Sequence, residues 1–104
     1  MSAVVILTTA PNIRTAKSLA DSLVRKKMAA CVSYFAGIRS SYSWKGKLET
    51  SQEVLLLIKT LKKNFKKVDR FIRAHHPYEL PEIAGLPVAG VSKDYLKWLR
   101  NCVR

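Results

Sequence analysis

The sequence predicts a single α+β domain in which strands and helices follow the order β-α-β-β-α-β, closed by one further helix. Three observations predict it. Short β-branched apolar runs alternate with stretches whose apolar residues recur every three or four positions. The two middle strands are separated only by Lys45-Gly46-Lys47, which makes them a hairpin. A chain of 104 residues, 48% of them hydrophobic, supplies one core and not two.

The first run, Ala3 to Thr9, is continuously apolar and β-branched, as in a strand covered on both faces. Pro11-Asn12 punctuates it, with Asn12 as the N-cap of a helix. Ala16, Leu19, Ala20, Leu23 and Val24 give that helix its apolar stripe. Cys31, Val32, Tyr34 and Phe35 suit a second strand, bent or bulged at Gly37 and continuing to Trp44. The third runs from Leu48 to Thr60, polar at first and ending in the central-strand run Val54-Leu55-Leu56-Leu57-Ile58. A second helix, Lys62 to His75, carries Leu61, Phe65, Val68 and Ile72 on its apolar side. Ile83 to Val91 reads as the last strand, which Pro87 assigns to an edge or a bulge. Ser92 then caps a helix to about Cys102, with Tyr95, Trp98, Leu99 and Cys102 as its buried face. This order is the ferredoxin-like, split βαβ plan, with both main helices on one face of the sheet.

The hairpin is too long for such a body. Two arms of about 14 residues at roughly 3.3 Å each span about 45 Å. A globule of this chain length has a radius of gyration near 13 Å and a diameter of about 33 Å. Either the hairpin folds sharply at Gly37, or it embraces another copy of the chain. The second is expected, because a lone chain would expose Tyr42 and Trp44 on an open ladder.

Nineteen Lys and Arg against seven Asp and Glu give a net charge of +12. The bases are densest in Arg25-Lys26-Lys27 and from Lys62 to Arg73, a face that could lie along phosphates. It lacks the aromatic platform of single-strand binders, so specific nucleic-acid recognition is not expected. No apolar run reaches the roughly 18 residues of a membrane span. The start Met1-Ser2-Ala3 has neither a basic n-region nor a cleavage site, so no signal peptide is expected. Two cysteines 71 positions apart match no zinc or redox spacing and read as reduced thiols in a cytoplasmic protein. With no Walker loop, GxGxxG or nucleophile elbow, an enzyme is not expected.

The chemistry concentrates in His75-His76-Pro77-Tyr78-Glu79-Leu80-Pro81-Glu82-Ile83. These nine residues hold both histidines, two of the seven acids and two of the four prolines. Pro77 disfavours the α region for His76, so the second helix should stop near His75. The result is a stiff corner presenting imidazoles, a phenol and carboxylates, groups that suit a metal ion or a polar ligand. A dipole-favoured helix end leading into a rigid turn explains the same residues. Neighbouring histidines on a helix point about 100° apart, so one site would take one of them plus Glu79 or a donor from elsewhere.

Over essentially its full length the chain resembles the CutA divalent-cation tolerance proteins. The resemblance rests on Met28-Ala29-Ala30-Cys31-Val32, Tyr42-Ser43-Trp44-Lys45-Gly46-Lys47-Leu48-Glu49, Lys59-Thr60, the corner from His75 to Ile83, and Tyr95-Leu96-Lys97-Trp98-Leu99. It implies a ferredoxin-like fold, a homotrimer, a cytoplasmic location, and Cu2+ or another divalent ion such as Zn2+ at His75 and His76. Bacterial members also place a cysteine at the end of the first strand; Thr8 stands there in this chain, and loss of the soft sulfur should weaken a copper(I) site. The architecture is also similar to PII signalling proteins, which bind small ligands between subunits. By that analogy Cys31, Trp44, Glu49, Lys59, Tyr78 and Glu79, with His76, would line a ligand cleft.

Overall fold

The computed structural model describes residues 2–104. Four strands, β1 (Ala3–Ala10), β2 (Cys31–Trp44), β3 (Lys47–Leu61) and β4 (Ala84–Pro87), join three helices, α1 (Ile13–Arg25), α2 (Phe65–His75) and α3 (Lys93–Cys102). A 3₁₀ turn over Lys62–Asn64 leads into α2. The sheet runs β2-β3-β1-β4 with every neighbouring pair antiparallel, the ferredoxin-like order expected from the sequence.

Local chemistry sets the boundaries. Asn12 Oδ1 accepts the Thr15 N–H at 2.8 Å, capping α1 and buried against the sheet are Ala16, Leu19, Ala20 and Leu23. Val24, at the margin of that stripe, is 41% exposed. From α2, Val68, Phe71 and Ile72 turn inward to meet Ile6, Leu56 and Ile58 of the sheet in the main core. Leu61 belongs to a second cluster, with Ala30, Leu99 and Val103, which seats α3.

Two elements differ from the sequence reading. The last strand covers Ala84–Pro87 and not Ile83–Val91. Its length is set by its neighbour: Pro87 already faces Val4, so past Val88, whose N–H reaches the Ala3 carbonyl at 3.3 Å, β1 has no more residues to pair. In α3 the buried side is Leu96, Leu99 and Cys102 with Val103 beyond it, whereas Tyr95 and Trp98 are 40% and 45% exposed and stack at 5.5 Å on each other. Two stripes of equal periodicity run along this helix, and the aliphatic one fits the shallow surface around Ala30 and Leu61. Ser92 is the N-cap residue by backbone conformation, yet its side chain makes no capping bond.

The hairpin does not fold back. A bulge between Ala36 and Ile38, with Gly37 at φ 94°, shifts the register by one residue, and pairing then continues to Trp44 and Lys47. Lys45 and Gly46, at φ 52° and 79°, close it in the two-residue turn whose twist matches the strands. The molecule measures 45 × 26 × 23 Å with a radius of gyration of 14.1 Å, its long axis equal to the length expected of the ribbon.

Candidate functional site

Pro77 ends α2 by holding His76 at φ −92° and ψ 139°, extended backbone. The two histidines therefore part. His75 is the last helical residue; its Nδ1–H donates to the Phe71 carbonyl at 2.8 Å, and its ring stacks on Phe71 at 4.1 Å. A carbonyl only accepts, so the proton is on Nδ1, and Nε2 of this exposed residue keeps its lone pair. His76 turns toward β1. Its Nε2–H donates to the Thr9 carbonyl at 2.6 Å, and its Nδ1 accepts the Tyr78 backbone N–H at 3.0 Å. Both ring nitrogens are thereby engaged, so in this arrangement His76 ties the corner to the sheet and has no lone pair to offer a metal.

The corner wraps round the end of the sheet. Tyr78 OH donates to Glu53 Oε2 at 2.8 Å, across 25 residues of sequence. Burial, then the bond to Glu53 and the charge on its carboxylate, push the Tyr78 phenol up to about 12. Glu53 is only 8% exposed. Between the corner and the far half of the ribbon lies a cleft of about 600 Å³, walled by Tyr42, Trp44, Tyr78 and the carboxylates of Glu53, Glu79 and Glu82.

Of the six cleft residues expected from the sequence, the structure gathers Trp44, Tyr78 and Glu79 here. Glu49 faces Tyr42 on the ribbon, outside the lining. Cys31 and Lys59 form a cross-strand pair toward the opposite end of the sheet, where Lys59 Nζ donates to Ser33 Oγ at 2.5 Å and lies 3.7 Å from Cys31 Sγ. Six residues of β3, roughly 20 Å, separate Lys59 from Glu53, so one chain does not bring the set together. Glu82, read from the sequence as part of the corner, also lines the cleft, and Glu53 and Tyr42 are lining residues that the sequence reading did not place in it. A carboxylate directly before the buried run Val54–Ile58 was the available signal for Glu53.

Among the described residues no three His, Cys, Asp or Glu side chains lie close enough together to hold a metal ion within one chain. The donor set fits a hard or borderline divalent ion better than copper(I). Thr8 is fully buried and its hydroxyl has no hydrogen-bond partner, so the first strand offers no sulfur. His75 offers one imidazole nitrogen whose other N–H is anchored to a carbonyl, the usual outer-shell arrangement of a metal-binding histidine.

Comparison with known proteins settles the lineage. The model of the CutA1 divalent ion tolerance protein family matches residues 4–102. The chain belongs to the CutA1 family. It is 43% identical over 97 residues to the divalent-cation tolerance protein CutA of Thermus thermophilus, a match covering 93% of this chain and 94% of that one. It is 42% identical over 101 residues to the chloroplastic protein CutA of Arabidopsis thaliana, covering 97% of this chain and 56% of the plant protein. The chain thus spans little more than half the length of its plant relatives. Among solved structures it superposes on CutA1 of Oryza sativa with a TM-score of 0.96 at 39% identity, over 100% of this chain and 95% of that one. On the Thermus thermophilus protein the TM-score is 0.95 at 40% identity, over 98% and 99% of the two chains.

Proposed function

We propose that this chain serves divalent-cation tolerance, as a cytoplasmic homotrimer that binds Cu2+ or a similar divalent ion through His75, with His76 anchoring the corner beside it. The observation that carries the reading is the arrangement of His75, an exposed residue whose Nδ1–H is held on the Phe71 carbonyl, which leaves its other ring nitrogen as an acceptor. Imidazole suits Cu2+ and Zn2+, and a ring that cannot rotate binds without losing further freedom. His76 has a different role in the same corner: it pins the chain to Thr9 and so fixes where His75 points. One imidazole is an incomplete site, and a neighbouring copy or water would supply the remaining donors. Assembly is supported by the ribbon, whose outer half holds Leu48 at 80% and Tyr42 at 42% exposure. Titrating the assembled protein with Cu2+ tests the reading. His75→Ala should abolish stoichiometric binding while His76→Ala weakens it through disorder of the corner, and unchanged binding in the double variant would remove the proposal.

A further inference from the structure

The outer side of the helical layer carries a charge that neither the core nor the corner uses. In α2 the apolar residues Val68, Phe71 and Ile72 are buried, while Lys66, Lys67, Arg70 and Arg73 are exposed. At about 100° per residue these four bases fall within an arc of about 120° on the side away from the core, along a helix about 16 Å long. Lys62 and Lys63, exposed in the preceding 3₁₀ turn, extend the row. Over residues 62–75 six Lys and Arg stand against one acid, Asp69, which is already paired with Arg73 at 2.9 Å. The other ion pair among the described residues, Lys17–Asp21, is on α1. Lys63, Lys66, Lys67 and Arg70 therefore have no carboxylate partner among the described residues.

Charge complementarity selects the partner. A second copy brings +12 of its own and is repelled. A bilayer surface is gripped by an apolar stripe that enters the headgroup region, and the stripe of α2 is buried in the core. Single strands are held by stacking on aromatic faces, and the exposed arc has none. A rigid row of ammonium and guanidinium groups matches a duplex, which carries about ten phosphate charges along 16 Å of its axis. We propose that the exposed face of α2 binds the phosphate backbone of duplex nucleic acid, with Lys63, Lys66, Lys67 and Arg70 as its contacts. The arc holds no amide or hydroxyl side chain to read base edges, so the binding is independent of sequence. The inference does not rest on the metal reading at His75.

Fluorescence anisotropy of a short labelled DNA duplex, titrated with the assembled protein at several salt concentrations, tests it. Micromolar binding at low salt is expected, with log affinity falling against log salt at a slope of about −3 to −5. A second duplex of unrelated sequence should bind equally within about threefold. The combined change Lys66→Gln, Lys67→Gln, Arg70→Gln should weaken binding by about tenfold or more and make the slope shallower by about 3. Lys93→Gln, Lys97→Gln, Arg100→Gln on α3 removes the same charge, also at exposed positions, and should weaken binding by less than about threefold. Equal losses in the two variants would overturn the proposal by assigning the binding to overall charge. Absence of binding at tens of micromolar protein in about 50 mM salt would overturn it, as would tighter binding to a single strand of the same length. Retention on phosphatidylserine vesicles with none on the duplex would also overturn it. So would a changed assembly mass in the α2 variant, which would assign the face to a neighbouring copy.

Discussion

From Val54 to Leu61, β3 buries Val54, Leu56, Ile58, Thr60 and Leu61, while none of residues 47–52 of the same strand is buried. Pairing with β2 runs through both halves, interrupted only by the bulge at Gly37. What differs is cover. Val32 and Tyr34 on the near half of β2 pack against the core under α1 and α2, and past the bulge neither helix remains. A strand's hydrogen bonds thus say where it goes, and its stability comes from what lies on its faces. The near half is a finished core; the far half is a surface built for something else.

Substitution of matched residues should expose that difference most strongly. Ile58→Ala, at a fully buried position, should cost about 2–5 kcal/mol in denaturant unfolding. Leu48→Ala, at 80% exposure, should change the stability of a single chain by no more than about 0.5 kcal/mol. Equal losses would erase the distinction between the halves. The histidines offer a second contrast at the junction. His76→Ala removes bonds to Thr9 and Tyr78 and should cost about 1–3 kcal/mol. His75→Ala loses an exposed ring stacked on Phe71, worth about 0.5–1 kcal/mol. A reversed order would mean that His76 does not anchor the corner.

Two buried side-chain oxygens among the described residues, Thr8 Oγ1 and Asn64 Oδ1, have no partner, and correcting the first should be measurable. Thr8→Val exchanges a buried, unpartnered hydroxyl for a methyl of similar shape and should raise stability by about 1 kcal/mol, read as a higher unfolding midpoint. A loss instead would show that the hydroxyl is satisfied. The smallest expected effect is on pH. Tyr78 ionises near 12 in the folded chain against 10 when free, first because of burial and then because of Glu53. A phenol whose pKa is raised by folding contributes stability that is fully present below pH 10 and lost as pH climbs toward 12. Absorbance at 295 nm should show Tyr78 ionising last, and Tyr78→Phe should flatten this alkaline decline in melting temperature. A Tyr78 that titrates near 10 would argue against its contact with Glu53.

Features with a local cause could be read from the sequence. Asn12 caps through its own neighbours, Gly37 permits a positive φ, and Pro77 limits the residue before it, so helix start, bulge and corner were all legible. The length of the ribbon follows from counting, and the 45 Å axis matches it. Features decided by a distant element were not legible. The extent of β4 depends on where β1 begins, and the buried side of α3 on the shape around Ala30 and Leu61. The histidines read as a pair because they are adjacent, and they separate because a carbonyl on β1, 67 residues away, engages one of them. Glu53 and Tyr78 meet from elements 25 residues apart, so the acidic character of the cleft becomes visible only when ribbon and corner are folded together.

The account turns on a ribbon whose outer half finds no cover in its own chain. Light scattering on the purified protein at micromolar concentration addresses it most directly. A particle of about three times the 11.7 kDa chain mass, unchanged on dilution, is the predicted result. A stable monodisperse particle of 11.7 kDa would contradict it.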